Sequence, residues 1–240
     1  MSDSPTAANR QGRPKPTSSV GMIIREREPV NFEFPFDQLQ SFLTPNDLFY
    51  IRSHFKAPML DKDSYELRID GALRAPLVLG YEELRKLPSE TRAATLECAG
   101  NSRVFLVPQV GGAQWELGAV GNAEWTGVPL RLLLEEAGLA EDAVEIVFEG
   151  ADRGKAKERP APPQPISYAR SLLRSKALAP EVLGCLPDEW AGPAAGSWLS
   201  GTADCAGALW DGFGEVAHSN LRGSGGVSRL LADFRLWLLG

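Results

Sequence analysis

An α+β sheet domain is the fold class the sequence predicts, and three observations carry that prediction. Tyr65-Glu66-Leu67-Arg68-Ile69 alternates apolar and polar residues with the two-residue period of a half-buried strand. Leu130 to Ala137 spaces its leucines like an amphipathic helix. Strand and helix patterns follow one another without the regular βαβ repeat that a doubly wound sheet requires.

Taken in order, residues 1–30 read as a disordered leader, because Pro5, Pro14, Pro16 and their polar neighbours bury too little surface to offset ordering entropy. The folded domain is expected over residues 31–183, starting near Phe32. The Tyr65–Ile69 strand ends at the turn signal Asp70-Gly71, and Tyr81 to Leu87 reads as a short helix stopped by Pro88. Ala93 to Leu96 reads as a strand that delivers Cys98 into a turn. Pro129 marks a helix start, Gly138 closes that helix, and Val144 to Phe148 reads as a buried strand.

Composition narrows the function classes. With 240 residues and 43% hydrophobic content the chain can bury a sizeable core. Its net charge is −6 and its Lys and Arg residues are scattered, which argues against nucleic acid or a membrane surface as partner. No run of about eighteen apolar residues is present, and the N-terminal twenty residues hold no signal-type apolar core or twin arginine, so a cytoplasmic enzyme is the expectation. Three cysteines without CxxC spacing suggest neither a disulfide framework nor a zinc ribbon.

The chemistry concentrates in Thr95-Leu96-Glu97-Cys98-Ala99-Gly100-Asn101-Ser102-Arg103, a lone cysteine in a small-residue turn after a strand, followed by a cation. A lone cysteine is also a common inert core residue. Arg52 and His54 stand two apart, so an extended segment would project both to one face, where they could meet an anion together; a surface arginine and a capping histidine are the competing reading. Taken alone, Trp115 reads as core and Asp152 as the cap of its own turn.

Three segments, Phe49-Tyr50-Ile51-Arg52-Ser53-His54-Phe55-Lys56-Ala57-Pro58, the cysteine turn, and Gly118 to Leu130, occur in an order and spacing that resemble the sulfite oxidase family of molybdopterin-dependent oxidoreductases. The resemblance runs from about Phe32 to Leu183. It implies a mixed-sheet sulfite-oxidase-type molybdopterin-binding domain, here incomplete at the C-terminus. Cys98 would ligate molybdenum, and Phe49, Tyr50, Ile51, Arg52, Ser53 and His54 would meet the pterin. Arg52 and Arg103 would face an oxyanion substrate, Trp115 would wall its pocket, and Asp152 would lie near the pterin rings. The implied reaction is two-electron oxygen-atom transfer to sulfite or a similar small oxyanion, with molybdenum-molybdopterin as cofactor and no haem, the electrons leaving to a separate acceptor. A sulfoxide-type reductase of the same fold is the alternative within the family. Tyr168-Ala169-Arg170-Ser171-Leu172 resembles a family segment, but Leu173 stands where a proline is usual, and Tyr168 receives no role.

From Gly184 the resemblance stops. Residues 184–240 contain no Lys, Ile, Tyr, Met or Gln, yet hold four of the chain's six tryptophans. They read as an aberrant, frame-shifted tail. Writing Gly184 to Trp190 as GGC TGC CTA CCG GAT GAA TGG and dropping the first G gives A-A-Y-R-M-N-G, and Trp198 to Ala217 treated likewise permits G-F-P-V-R-L-I-V-P-G-L-Y-G-M-V-S-A-K-W-L. By the resemblance, the lost segment would carry the cations that hold the pterin phosphate, and an immunoglobulin-like dimerisation domain would follow it. The rival reading is therefore a cofactor-free, inactive product. Resequencing the DNA across codons 175 to 200 checks this: the frame reading expects codons compatible with the shifted translation, and incompatible codons end it.

Overall fold

The computed structural model describes residues 21–56, 58, 63–156, 161–185 and 234–239, with the backbone alone at Cys185 and over 234–239. Residues 21–30, which composition assigns to a disordered leader, belong to the fold, and residues 1–20 of that expected leader lie outside the described residues. Strand β1 (Ile23–Glu26) pairs antiparallel with β2 (Asn31–Glu33), and β2 with β3 (Ile51–Arg52). Met22 is 1% exposed. The leader expected over 1–30 is thus corrected from residue 21 onward. The physical reason is that its charged residues find partners: Arg25 pairs with the buried carboxylate of Glu33.

The chain next forms the antiparallel hairpin of β4 (Glu66–Gly71) and β5 (Leu77–Gly80), followed directly by the one-turn helix α1 (Tyr81–Leu84). Gly80 donates its N–H to Glu83 at 2.8 Å, satisfying one of the free donors at that helix start. Strand β6 (Glu90–Glu97) then runs antiparallel to β7 (Val120–Pro129) through eight consecutive pairs, from Glu90 opposite Gly127 to Glu97 opposite Val120. Cys98 leaves the end of that ladder. Helix α2 (Leu130–Ala137) buries Leu130, Leu133, Leu134 and Ala137, the i, i+3, i+4, i+7 stripe the sequence predicts, and Gly138 closes it in the left-handed region at φ +72°.

Strands β8 (Glu145–Gly154) and β9 (Ile166–Leu173) pair antiparallel, then α3 (Arg174–Ala177) leads to β10 (Leu183–Cys185), which joins β7. The domain therefore runs past the predicted end at 183. Strand β11 (Phe234–Leu239) lies parallel to β4 on one side and antiparallel to β8 on the other, at the centre of a five-stranded sheet ordered β5-β4-β11-β8-β9. One parallel pairing among antiparallel ones makes this the mixed sheet expected. Residues 186–233, on which most of the tail reading rests, lie outside the described residues.

Two apolar clusters form the interior. One gathers Ile69, Ile146, Phe148, Tyr168 and Leu172 from the five-stranded sheet, Val128 from β7, and Leu130 and Leu134 from α2. The other packs Phe49, Tyr50, Leu96, Trp115, Ala119 and Trp125, with Cys98 against its edge. Among the described residues no helix is long and apolar enough to cross a membrane.

Because β11 is bonded along both edges, a proline inside it removes a ladder hydrogen bond that nothing replaces. Leu236→Pro should destabilise the protein by roughly 1–3 kcal/mol. Hydrogen exchange is expected to accelerate over Glu66–Gly71 and Glu145–Gly150 while the β6–β7 amides keep their protection. Unchanged exchange in those two segments would contradict the central position of β11.

Candidate functional site

The cysteine turn is built by the strand before it and the loop beside it. Cys98 donates its N–H to Ala119 O at 2.9 Å, prolonging the β6–β7 ladder by one bond, and its carbonyl accepts from Asn101 N at 2.7 Å. The Asn101 side chain in turn accepts from Ala119 N at 3.1 Å and donates to Glu97 at 2.8 Å. These bonds lock a turn in which the thiol is half-buried and free. Gly100 donates its N–H to Cys98 Sγ at 3.4 Å.

Ser102 adopts φ +66°, the left-handed conformation, and so reverses the chain to bring Arg103 back over the turn. The Arg103 guanidinium covers Gly100 so closely that a Cβ on that glycine would lie 2.6–2.8 Å from it. Only glycine admits this approach. Arg103 Nη1 donates to Ala113 O at 3.1 Å, while Ser102 N and Val104 N donate to Glu116 O and Trp115 O at 2.6 and 3.1 Å. Cys98 and Arg103, expected together from sequence, are together.

The second group forms around Arg52. Its guanidinium, which can only donate, reaches His54 Nε2 at 3.0 Å, Asn31 Oδ1 at 3.4 Å and the Ser53 carbonyl. The shared face predicted for Arg52 and His54 is therefore present. The His54 ring lies 4.1 Å from the Tyr168 ring, and Arg170 Cζ sits 4.3 Å from that same ring. Pairing of β8 with β9 slips between Glu149 and Arg153, so Gly150, Ala151 and Asp152 together oppose Tyr168. The bulge sets buried Asp152 in register with the ring that His54 stacks on.

Phe49, Tyr50, Ile51 and Ser53 are buried: Phe49 lies edge-on to Trp125 at 5.8 Å, and Ser53 donates its N–H to Asn31 at 2.9 Å. In that segment only Arg52 and His54 keep side chains partly accessible. Trp115 is 0% exposed and packs at 6.5 Å against Tyr50, beneath the cysteine turn. For Phe49, Tyr50 and Trp115 the reason is common: large aromatic rings lower the free energy most where they exclude water completely.

The sequence reading missed Asn31 and Glu33, both buried, and gave no role to Tyr168 or Arg170. Glu33 Oε1 accepts Gly118 N at 2.7 Å and Oε2 accepts Glu116 N at 3.2 Å. The only sequence signal for either residue is a polar position on each side of Phe32 in an otherwise strand-like stretch.

Comparison with known proteins matches this arrangement to a family. The family described as "Oxidoreductase molybdopterin binding domain" matches residues 54–186. Sulfite oxidase from Gallus gallus is 37% identical over 172 residues, covering 69% of this chain and 36% of that protein. Sulfite oxidase from Arabidopsis thaliana is 34% identical over 178 residues, covering 70% of this chain and 44% of that protein. An NADH nitrate reductase from Petunia hybrida is 36% identical over 134 residues, covering 52% of this chain and 15% of that protein. The crystal structure of the sulfane dehydrogenase SoxCD from Paracoccus pantotrophus superposes with a TM-score of 0.53 at 26% identity, over 74% of this chain and 44% of that one. The chain thus spans less than half the length of these relatives. With more than half of its residues inside the matched domain, it belongs to the sulfite oxidase family of molybdopterin oxidoreductases.

Proposed function

We propose that this chain forms part of a molybdenum-cofactor oxidoreductase acting on a small oxyanion, with sulfite the first candidate. The observation that supports this most directly is a single turn holding a partly accessible thiol and a guanidinium together, with Gly100 between Cys98 and Arg103. Among the described residues no group of three or more His, Cys, Asp or Glu could hold a metal ion. Cys98 therefore suits a metal that arrives with other donors already in place, as molybdenum does on the dithiolene of molybdopterin, and a thiolate is the soft ligand such a metal takes. The residues present fit that group, with Cys98 toward the metal and Arg52, His54 and Asp152 as candidates for the pterin side.

When bound, the cofactor supplies oxygen-atom transfer and takes up two electrons. The protein's own share is charge and orientation. Arg52 and Arg103 offer planar guanidinium forks matched to an oxyanion. The rings of Phe49, Tyr50 and Trp115 beneath the turn fix the position of Cys98. The net conversion of sulfite and water to sulfate releases two protons and two electrons, the electrons passing to a separate acceptor. An oxyanion other than sulfite is compatible with the same residues, as the nitrate reductase relative illustrates. Neutral sulfoxides suit the two arginines less well.

A second reading is favoured by the composition of residues 184–240, which hold four of six tryptophans and no lysine. It is a chain that lost its phosphate-binding half to a frame change and carries no cofactor. Each charge-assisted bond to phosphate is worth about 1.5–3 kcal/mol, so losing several weakens retention by orders of magnitude.

Cys98→Ser, made in protein reconstituted with the cofactor, should abolish sulfite oxidation and lower molybdenum content with little change in melting temperature; retained turnover removes Cys98 from the site. Activity confined to neutral sulfoxides would instead end the oxyanion assignment. Gly100→Ala should displace only the flexible end of Arg103, leaving the fold intact while raising the KM for sulfite by roughly tenfold or more. An unchanged KM would show that Arg103 does not meet the substrate.

A further inference from the structure

Strand β2 carries two buried polar side chains two residues apart, Asn31 at 0% and Glu33 at 1% exposure. In an extended strand such residues share a face, yet each serves a different half of the candidate site. Asn31 Oδ1 accepts from Ser53 N at 2.9 Å and Arg52 Nη1 at 3.4 Å, and its amide nitrogen donates to Glu26 Oε2 at 2.7 Å. Its backbone also opposes Arg52 in the β2–β3 ladder. Arg52 and His54 are thus held from one buried amide.

Glu33 accepts the N–H groups of Gly118 and Glu116 and pairs with Arg25. Those two residues lie in the stretch 115–119 whose carbonyls receive the cysteine turn: Glu116 O takes Ser102 N at 2.6 Å, and Ala119 O takes Cys98 N at 2.9 Å. Phe34 N donates to Gly118 O at 3.1 Å, adding a third tie between the two segments. At Gly118 a Cβ would collide with the Phe34 carbonyl, so the contact is backbone against backbone.

We propose that β2 is a two-ended strut whose Asn31 and Glu33 are positioning residues, the first for the Arg52–His54 pair and the second for the Cys98 turn. Their relevance to catalysis rests on the oxyanion oxidoreductase reading above, but the two couplings themselves do not. A strut of this kind sets the separation between anion-binding cations and the metal-binding thiol from a segment N-terminal to the matched domain, which starts at residue 54.

The test is a crossover between two probes on the full chain, neither of which needs cofactor. His54 is one of two histidines, so a His218→Gln background leaves one imidazole resonance, displaced by the Tyr168 ring on which it stacks. The alkylation rate of Cys98 by iodoacetamide is followed by mass spectrometry on the tryptic peptide from Ala93 to Arg103, which excludes Cys185 and Cys205. Asn31→Leu should move the His54 resonance toward that of a free histidine and leave Cys98 alkylation unchanged. Glu33→Leu should raise Cys98 alkylation roughly tenfold, as the loss of charge-assisted bonds to backbone predicts, and leave the His54 resonance in place. Where Glu33→Leu does not fold, Glu33→Gln carries the same arm with a smaller increase. Asn31→Asp combined with Glu26→Gln exchanges donor for acceptor across that bond and should restore the His54 resonance. Both probes moving together in both variants, or neither moving, overturns the strut. A clean crossover in a protein that never oxidises sulfite keeps the strut and ends the functional assignment.

Discussion

The carboxylate of Glu33 is buried and ion-paired with Arg25, and much of the assembly follows from satisfying it. An ionised side chain withdrawn from water stays only where opposite charge and hydrogen bonds replace its hydration. Here Arg25 supplies the charge, and Glu116 and Gly118 supply backbone N–H groups. Removing one partner of such a group typically costs about 3–5 kcal/mol, so the N-terminal strands cannot separate cheaply from the loop beside the cysteine. Arg25 also reaches Glu116 Oε1 at 3.3 Å, which ties the same loop a second time. A segment whose composition reads as solvent-loving is ordered because its charges are the ones the domain needs.

The candidate site lies along the seam between two interiors. The cysteine turn rests on the aromatic cluster of Phe49, Tyr50, Trp115 and Trp125, while the His54–Tyr168 stack hangs from the larger cluster under the five-stranded sheet. Strand β7 belongs to both, with Ala123 and Trp125 in one and Val128 in the other. The segment from Phe49 to Phe55 crosses the same seam, since Phe55 packs edge-on to Tyr168 at 6.5 Å. Close-packed interiors transmit displacement instead of absorbing it. A core substitution in either cluster therefore changes the spacing between thiol and cations as well as stability.

What could be read from the sequence was local. The stripe Leu130, Leu133, Leu134, Ala137 and the strand before Cys98 follow from periodicity, and the common face of Arg52 and His54 from their spacing. Asn31 and Glu33 depend on partners 22 and 85 residues away, and no periodic signal marks such a pairing. The full burial of Trp115 and Phe49 is decided by tertiary packing that a single sequence does not display. The bulge opposite Tyr168 is likewise a property of strand register, and register is set jointly by two segments. Turn strain at Ser102 was invisible because a serine in the left-handed region has no compositional mark.

The tail poses a different problem, because backbone pairing and side-chain chemistry tolerate sequence change unequally. Strands β4 and β8 are joined in one sheet only through β11. A slot between two strands offers main-chain donors and acceptors that any extended segment can meet, and Phe-Arg-Leu-Trp-Leu-Leu is apolar enough to enter it. Filling the slot is therefore weak evidence that residues 184–240 are the segment the domain evolved with. Phosphate recognition has no such tolerance, since it requires cations at fixed positions. The tail contains no lysine, and its arginines are Arg222, Arg229 and Arg235. Of these, Arg235 lies within β11 itself. A chain can thus complete its sheet while still lacking the second half of an anion site, and folding and cofactor retention become separable properties of the same sequence.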